Sequence, residues 1–160
     1  MEPRTCWRSL LVVTAIDTTF LIQLEVRESP GHEDAHRLLQ RGFLNTGNAL
    51  GLVPQVLEEF VHVCTDPRRF ERPLSMTEAL DRADFWWRAA EVQQVLPTAE
   101  AVALFVEWMR GLRLGRRRIH DMLLAATCVT AGIKEIVTSD RDGFQVFGGL
   151  TVVDPLDWKG

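Results

Sequence analysis

Short apolar runs of about five residues alternate along the chain with longer stretches whose apolar positions recur every three or four residues, the contrast that separates buried strands from amphipathic helices. Leu10–Ile16 predicts the first strand and Thr18–Glu25 a helix behind it. After the break at "SPGHED", residues 33–41 read as amphipathic, with Ala35, Leu38 and Leu39 inward. Ala49–Pro54 predicts a second strand, and Pro54 opens a helix to about Cys64, since its missing N–H costs nothing in a first turn. "TDPRRFERP" is a loop. Ser75 with Glu78 forms a capping box that starts a helix toward Arg88. "EVQQVLP" is a third strand, and "TAEAVALFVEWMRGL" a helix capped by Thr98. A helix over Ile119–Ala131 precedes a fourth strand at Glu135–Thr138, and Leu150–Val153 is the fifth.

Strands separated by helices pair in parallel through right-handed crossovers that place helices on both faces. The expected architecture is therefore α/β: a three-layer α/β/α sandwich around a mainly parallel, five-stranded sheet. With 160 residues the chain fits one domain, spanning 10–160 after an N-terminal extension at 1–9.

Composition narrows the choices. Hydrophobic residues make up 46% and charged residues 25%, which excludes disorder and low-complexity architectures. A net charge of −4 argues against a strongly basic nucleic-acid binder, although a carboxylate cluster would itself lower that balance. Cys6, Cys64 and Cys128 are odd in number and lack CxxC spacing, which points away from zinc and disulfides and toward a reducing compartment. Arg4 and Arg8 precede an apolar run too short for a signal peptide and without a small-residue cleavage site, and no stretch reaches membrane-spanning length. A cytoplasmic protein is expected.

The candidate chemistry lies in the acids. In open parallel sheets, functional groups collect beyond the carboxyl ends of the strands. Asp17 and Asp140 both fall there, though an Asp in such a place can also simply cap a helix or turn. On the helix from Pro54, Glu59 borders the apolar side while Glu58 points away with His62, so Glu59 is expected to turn toward the core. "IHDMLLAATCVTAGI" is apolar nearly all round, and Asp121 in its first turn shares a face with Leu124, Ala125 and Cys128. An inward carboxylate costs several kcal/mol unless it is paired or metal-bound, about ten times what a helix dipole returns. One such acid could pair with an arginine. Four converging acids would instead call for divalent cations, and an oxygen-only set suits Mg²⁺ or Mn²⁺. Phosphodiester hydrolysis is the reaction such a site serves best, because metal-activated water replaces a side-chain nucleophile. Neither a G-x-S-x-G elbow nor a Cys–His pair is present as an alternative.

The segments "AIDTTFLI", "LVPQVLEEFVHV", "IHDMLLAATCVTAGIKEIVTSDRDGF" and "LTVVDP", in that order, resemble a PIN domain, and most of all the VapC-like ribonuclease toxins of prokaryotic toxin–antitoxin pairs. The resemblance covers residues 10–156. It implies that Asp17, Glu59, Asp121 and Asp140 are the catalytic metal ligands, with Thr18 and Ser139 supporting them through hydroxyl contacts and Asp142 as a fifth acid. It further implies a Mg²⁺- or Mn²⁺-dependent endoribonuclease acting on tRNA, rRNA or mRNA, dimeric, and restrained by a cognate antitoxin. A catalytically silent PIN module that binds RNA or a protein is the alternative. The run "GRRRIHD" departs from the pattern by its basic character.

Arg116, Arg117 and Arg118 should stand at the rim of the acidic pocket, either anchoring RNA phosphates or lying in a solvated loop or pairing with carboxylates of the antitoxin. His120 points about 100° away from Asp121 on a helix and reads as a surface or capping residue. "DFWWRAA" and Trp108 could stack bases, but aromatics at helical spacing more often pack. A phosphoacceptor receiver domain is disfavoured because "QQVLPT" offers no acceptor Asp, and a "DxDxT" phosphatase because "DTTFL" lacks the second Asp.

Overall fold

The computed structural model describes residues 11–160, so the N-terminal extension, Cys6 and the expected strand start at Leu10 lie outside the described residues. Five strands, β1 (Val13–Ile16), β2 (Ala49–Leu52), β3 (Val92–Gln94), β4 (Glu135–Val137) and β5 (Thr151–Val153), form one sheet in the order β3-β2-β1-β4-β5. Every pairing is parallel. Ile16, Leu50, Leu52, Ile136 and Val137 are fully buried, as befits strands covered on both faces. At Gly51 of β2 the neighbours close in, and a Cβ there would stand only 3.1 Å from Ile133 and 3.2 Å from Val13.

Among the described residues, seven α-helices flank the sheet in two packed groups. The first contains α1 (Thr18–Glu25), α2 (His32–Leu38), α3 (Pro54–Cys64) and α4 (Met76–Arg88); the second contains α5 (Ala99–Leu112), α6 (Ile119–Thr130) and the single turn α7 (Arg141–Phe144). Local signals are realised physically. Ser75 Oγ accepts from the Glu78 N–H while Glu78 bonds back to the Ser75 N–H, a box worth on the order of 1 kcal/mol to α4. Thr98 likewise caps α5.

Three features depart from the expected elements. The helix beginning at His32 widens at Leu39 into a π-helical stretch to Leu44, closed by the Thr46 hydroxyl donating to the carbonyls of Gly42 and Phe43. Arg116–Arg118 coil into a 3₁₀ turn that leads directly into α6. Asp140 caps a helical turn, Arg141–Phe144, that none of the expected elements covered.

Among the described residues, the tryptophans pack. Trp86 is buried and donates its indole N–H to Glu25, which also pairs with Arg82. Trp108 stacks on Phe147 with ring centres 5.2 Å apart.

Candidate active site

In the strand order β3-β2-β1-β4-β5, the connections leaving β1 and β4 diverge to opposite sides, which opens a crevice at their carboxyl ends. Asp17 and Asp140 stand on the two sides of that crevice. Asp17 follows β1, and its N–H donates to the carbonyl of Val137 at the end of β4, 3.0 Å away. Its side chain makes no capping bond to α1. Instead, its Oδ2 accepts from the hydroxyls of Thr138 (2.8 Å) and Thr19 (3.1 Å). Only 5% of the residue is exposed. Burial pushes its pKa up to about 6, against the hydroxyl bond from Thr138; the charges of Glu59 and Asp121 add to the rise.

Asp140 does act as a cap, its Oδ1 accepting from the Gly143 N–H at 3.1 Å. Its Oδ2 accepts from Arg118 Nη1 at 2.9 Å. The same nitrogen donates to Asp121 Oδ2 at 3.1 Å. Desolvation in the first turn of α6 raises the Asp121 pKa, with Arg118 opposing the rise and Asp140 and Glu59 adding to it. Glu59 does not turn into the core as its helical position implied. It is exposed and hangs over the crevice, because the flank of α3 that borders the apolar side faces this opening. Thr18 donates to its Oε2 at 2.7 Å.

Asp17, Glu59 and Asp121 thus line one cavity of about 310 Å³, with Gln55, His62, Arg69 and His120 also in its wall. Asp140 is outside this lining and joins the group through Arg118. Asp142 is exposed in α7, away from the cavity. The Ser139 hydroxyl makes no hydrogen bond to these acids among the described residues; it accepts from Gln23 Nε2 at 2.8 Å. Arg116 and Arg117 are exposed, whereas Arg118 turns inward to the carboxylates.

Sequence reasoning passed over three residues. Thr138 ends the apolar run before Ser139, and Thr19 stands two residues beyond Asp17; both are hydroxyls at the strand-end edge that already held the acids. Arg69 comes from a loop whose path no local pattern predicts. The run "HEDAH" on α2 has the spacing of a two-histidine zinc helix. There, His32 Nδ1 and His36 Nε2 bond instead to the carbonyls of Gln23 and Leu24, tying α2 to α1.

The sequence profile of the PIN domain matches residues 14–150, most of the chain and a span within which all four acids fall. The chain belongs to the PIN domain family. Ribonuclease VapC24 of Mycobacterium tuberculosis is 29% identical over 152 residues, covering 91% of this PIN chain and 99% of that protein. The PIN fold is shared with the VapBC2 complex of Rickettsia felis bound to a promoter DNA fragment, at a TM-score of 0.66 and 14% identity, over 92% of this chain and all of that one. It is shared too with VapC20 of Mycobacterium tuberculosis, a toxin cleaving the sarcin–ricin loop (TM-score 0.65, 19% identity, 84% of this chain and 94% of that one).

The PIN residues at the crevice fit a divalent cation by their chemistry. The donors are carboxylate and amide oxygens, the set hard cations prefer. Gln55 spends its Nε2 on the His120 carbonyl (2.8 Å) and leaves Oε1 buried without a partner in the same wall. Among the described residues, no three His, Cys, Asp or Glu side chains are already closed around a common point. The acids are held apart on separate supports, Asp17 and Glu59 on threonine hydroxyls and Asp121 and Asp140 on Arg118.

Proposed function

We propose that this chain is an endoribonuclease of the VapC type that hydrolyses RNA phosphodiester bonds with Mg²⁺ or Mn²⁺, the toxin of a toxin–antitoxin pair. The observation that carries the proposal is the meeting of Asp17, Glu59 and Asp121 in one cavity at the switch point of a PIN sheet. When bound, the cation supplies an activated water as nucleophile and offsets charge on the phosphate under attack. The chain's own groups do the positioning. Thr138 and Thr19 fix Asp17, Thr18 fixes Glu59, and Arg69 offers a cation to the RNA backbone at the cavity mouth. Burial of Asp17 lowers the local dielectric, which strengthens every charge interaction made there. Asp17, Glu59, Asp121 and Asp140 are the assigned ligands.

The substrate is RNA, and the assigned partners are a cognate antitoxin protein and a second copy of the chain, in keeping with the toxin and complex structures that share the fold. No helix among the described residues is long and apolar enough to cross a membrane, which agrees with the assigned cytoplasmic location. Residues 10–160 are assigned as one nuclease domain, in line with the profile match over 14–150.

The test is cleavage of total RNA or tRNA by the purified chain with Mg²⁺ or Mn²⁺. Cleavage that disappears in Asp121→Asn supports the assignment. Binding of RNA without cleavage at any divalent ion concentration would select the silent module instead, and unchanged cleavage by Asp121→Asn would remove Asp121 from the site.

A further inference from the structure

The acidic edge is divided unevenly. Asp121 and Asp140 share one guanidinium nitrogen, Arg118 Nη1, at 3.1 and 2.9 Å. Asp17 and Glu59 have no ionic partner among the described residues and rest on hydroxyls. A single cation already sits at one end of the cluster, and that cation belongs to the chain.

We propose that Arg118 permanently fills one of the two cation positions of this edge, so that the protein takes up one divalent ion, beside Asp17 and Glu59, where a four-acid edge could otherwise hold two. The proposal rests on the nuclease reading above and specifies its metal content.

Further observations support it. Arg118 occupies a space that a glycine leaves open. Gly143 is buried against it, and a Cβ at position 143 would collide with both Arg118 Nη1 and Asp140 Oδ2, so the absence of a side chain there makes the room the guanidinium occupies. With 32% of its side chain exposed, Arg118 is far more enclosed than an arginine in free solution. It is also tethered three residues before Asp121, at the point where the 3₁₀ turn enters α6. A guanidinium held by its own chain loses no translational freedom on pairing, whereas an incoming ion loses that freedom and part of its hydration shell as well. Asp121 and Asp140 are therefore the carboxylates least open to a second ion. The charge count agrees: four carboxylates against one guanidinium and one divalent ion leave a net charge of −1, which Arg69 in the cavity wall can offset.

Calorimetric titration of the metal-free full chain with Mn²⁺ tests this by counting ions per chain, a readout independent of RNA cleavage. The expected result is one ion for the wild type, two for Arg118→Gln, and one for Arg118→Lys, which keeps a tethered charge. Far-UV circular dichroism establishes that each variant is folded, and the wild-type count is decisive even if one is not. Two ions in the wild type, or one ion in a folded Arg118→Gln protein, overturns the proposal. No ion in either protein removes the nuclease reading itself, and is thereby distinguished from a failure of the arginine's role alone.

Discussion

Replacing Asp17 with asparagine should stabilise the metal-free protein at neutral pH while disabling it. A rise in the Asp17 pKa from 3.8 to about 6 means that the buried carboxylate is harder to ionise in the folded chain than in the unfolded one. At about 1.4 kcal/mol per pH unit this amounts to about 3 kcal/mol. The sign follows from proton counting. Between pH 4 and 6 the folded state holds a proton that the unfolded state has released, so stability falls as pH rises through that window. Below it the penalty is absent, and above it the penalty is complete. Asparagine removes the charge, and its carbonyl can still accept from Thr138 and Thr19. Its amide N–H₂ gains no acceptor, which costs about 1–2 kcal/mol. Asp17→Asn should therefore be about 1–2 kcal/mol more stable than wild type at pH 7.5 and slightly less stable at pH 4, as read by urea denaturation with chelator present. In a chain of this size the gain at pH 7.5 corresponds to about 2–8 °C in Tm. Added Mn²⁺ should then raise the Tm of the wild type but not of the variant, since only a ligand bound to the folded state stabilises it. A stability difference between the two proteins that stays constant from pH 4 to 7.5 would refute the reasoning.

Other substitutions separate the parts of the site. Thr138→Val removes the 2.8 Å bond to Asp17 and the acceptor for the Asp140 N–H, and should cost about 1–3 kcal/mol in denaturant unfolding, together with slower cleavage. Arg69 is 62% exposed, and its nearest acid, Asp66 at 3.9 Å, is already held by Arg68 at 3.0 Å; Arg69→Ala should raise KM for RNA about three- to ten-fold with kcat nearly unchanged, and flatten the slope of log KM against log salt by about 0.7. Asp142→Asn should leave stability within about 0.5 kcal/mol and cleavage unchanged, because Asp142 is exposed and away from the cavity.

The inner strands β1, β2 and β4 were legible because they are buried on both faces and therefore read as short apolar runs, whereas the edge strands β3 and β5 are more exposed and gave weaker signals; the helices carry explicit punctuation such as Pro54, Ser75 with Glu78, and Thr98. Parallel topology then placed Asp17 and Asp140 at one edge without further information. Helical phase was a weaker guide. It set Asp121 on an inward face, where its side chain is largely enclosed, but it assigned Glu59 to the core, since periodicity distinguishes apolar from polar sides and says nothing of a crevice opening between them. The supports of the acids were least legible. Arg118 reaches Asp140 across 22 residues of chain, and Thr138 reaches Asp17 across 121; such contacts are fixed by how β1, β4 and α6 dock, not by any local pattern. Ser139 illustrates the difference: adjacent to Thr138, it faces Gln23, because successive residues leaving a strand point to opposite sides.

The most direct measurement of the central claim is anomalous diffraction from crystals soaked in millimolar Mn²⁺. A peak within ligand distance of Asp17 at the β1–β4 edge, with Arg118 still on Asp121 and Asp140, is the predicted result. An edge that stays empty while Mn²⁺ binds elsewhere on the molecule would contradict it.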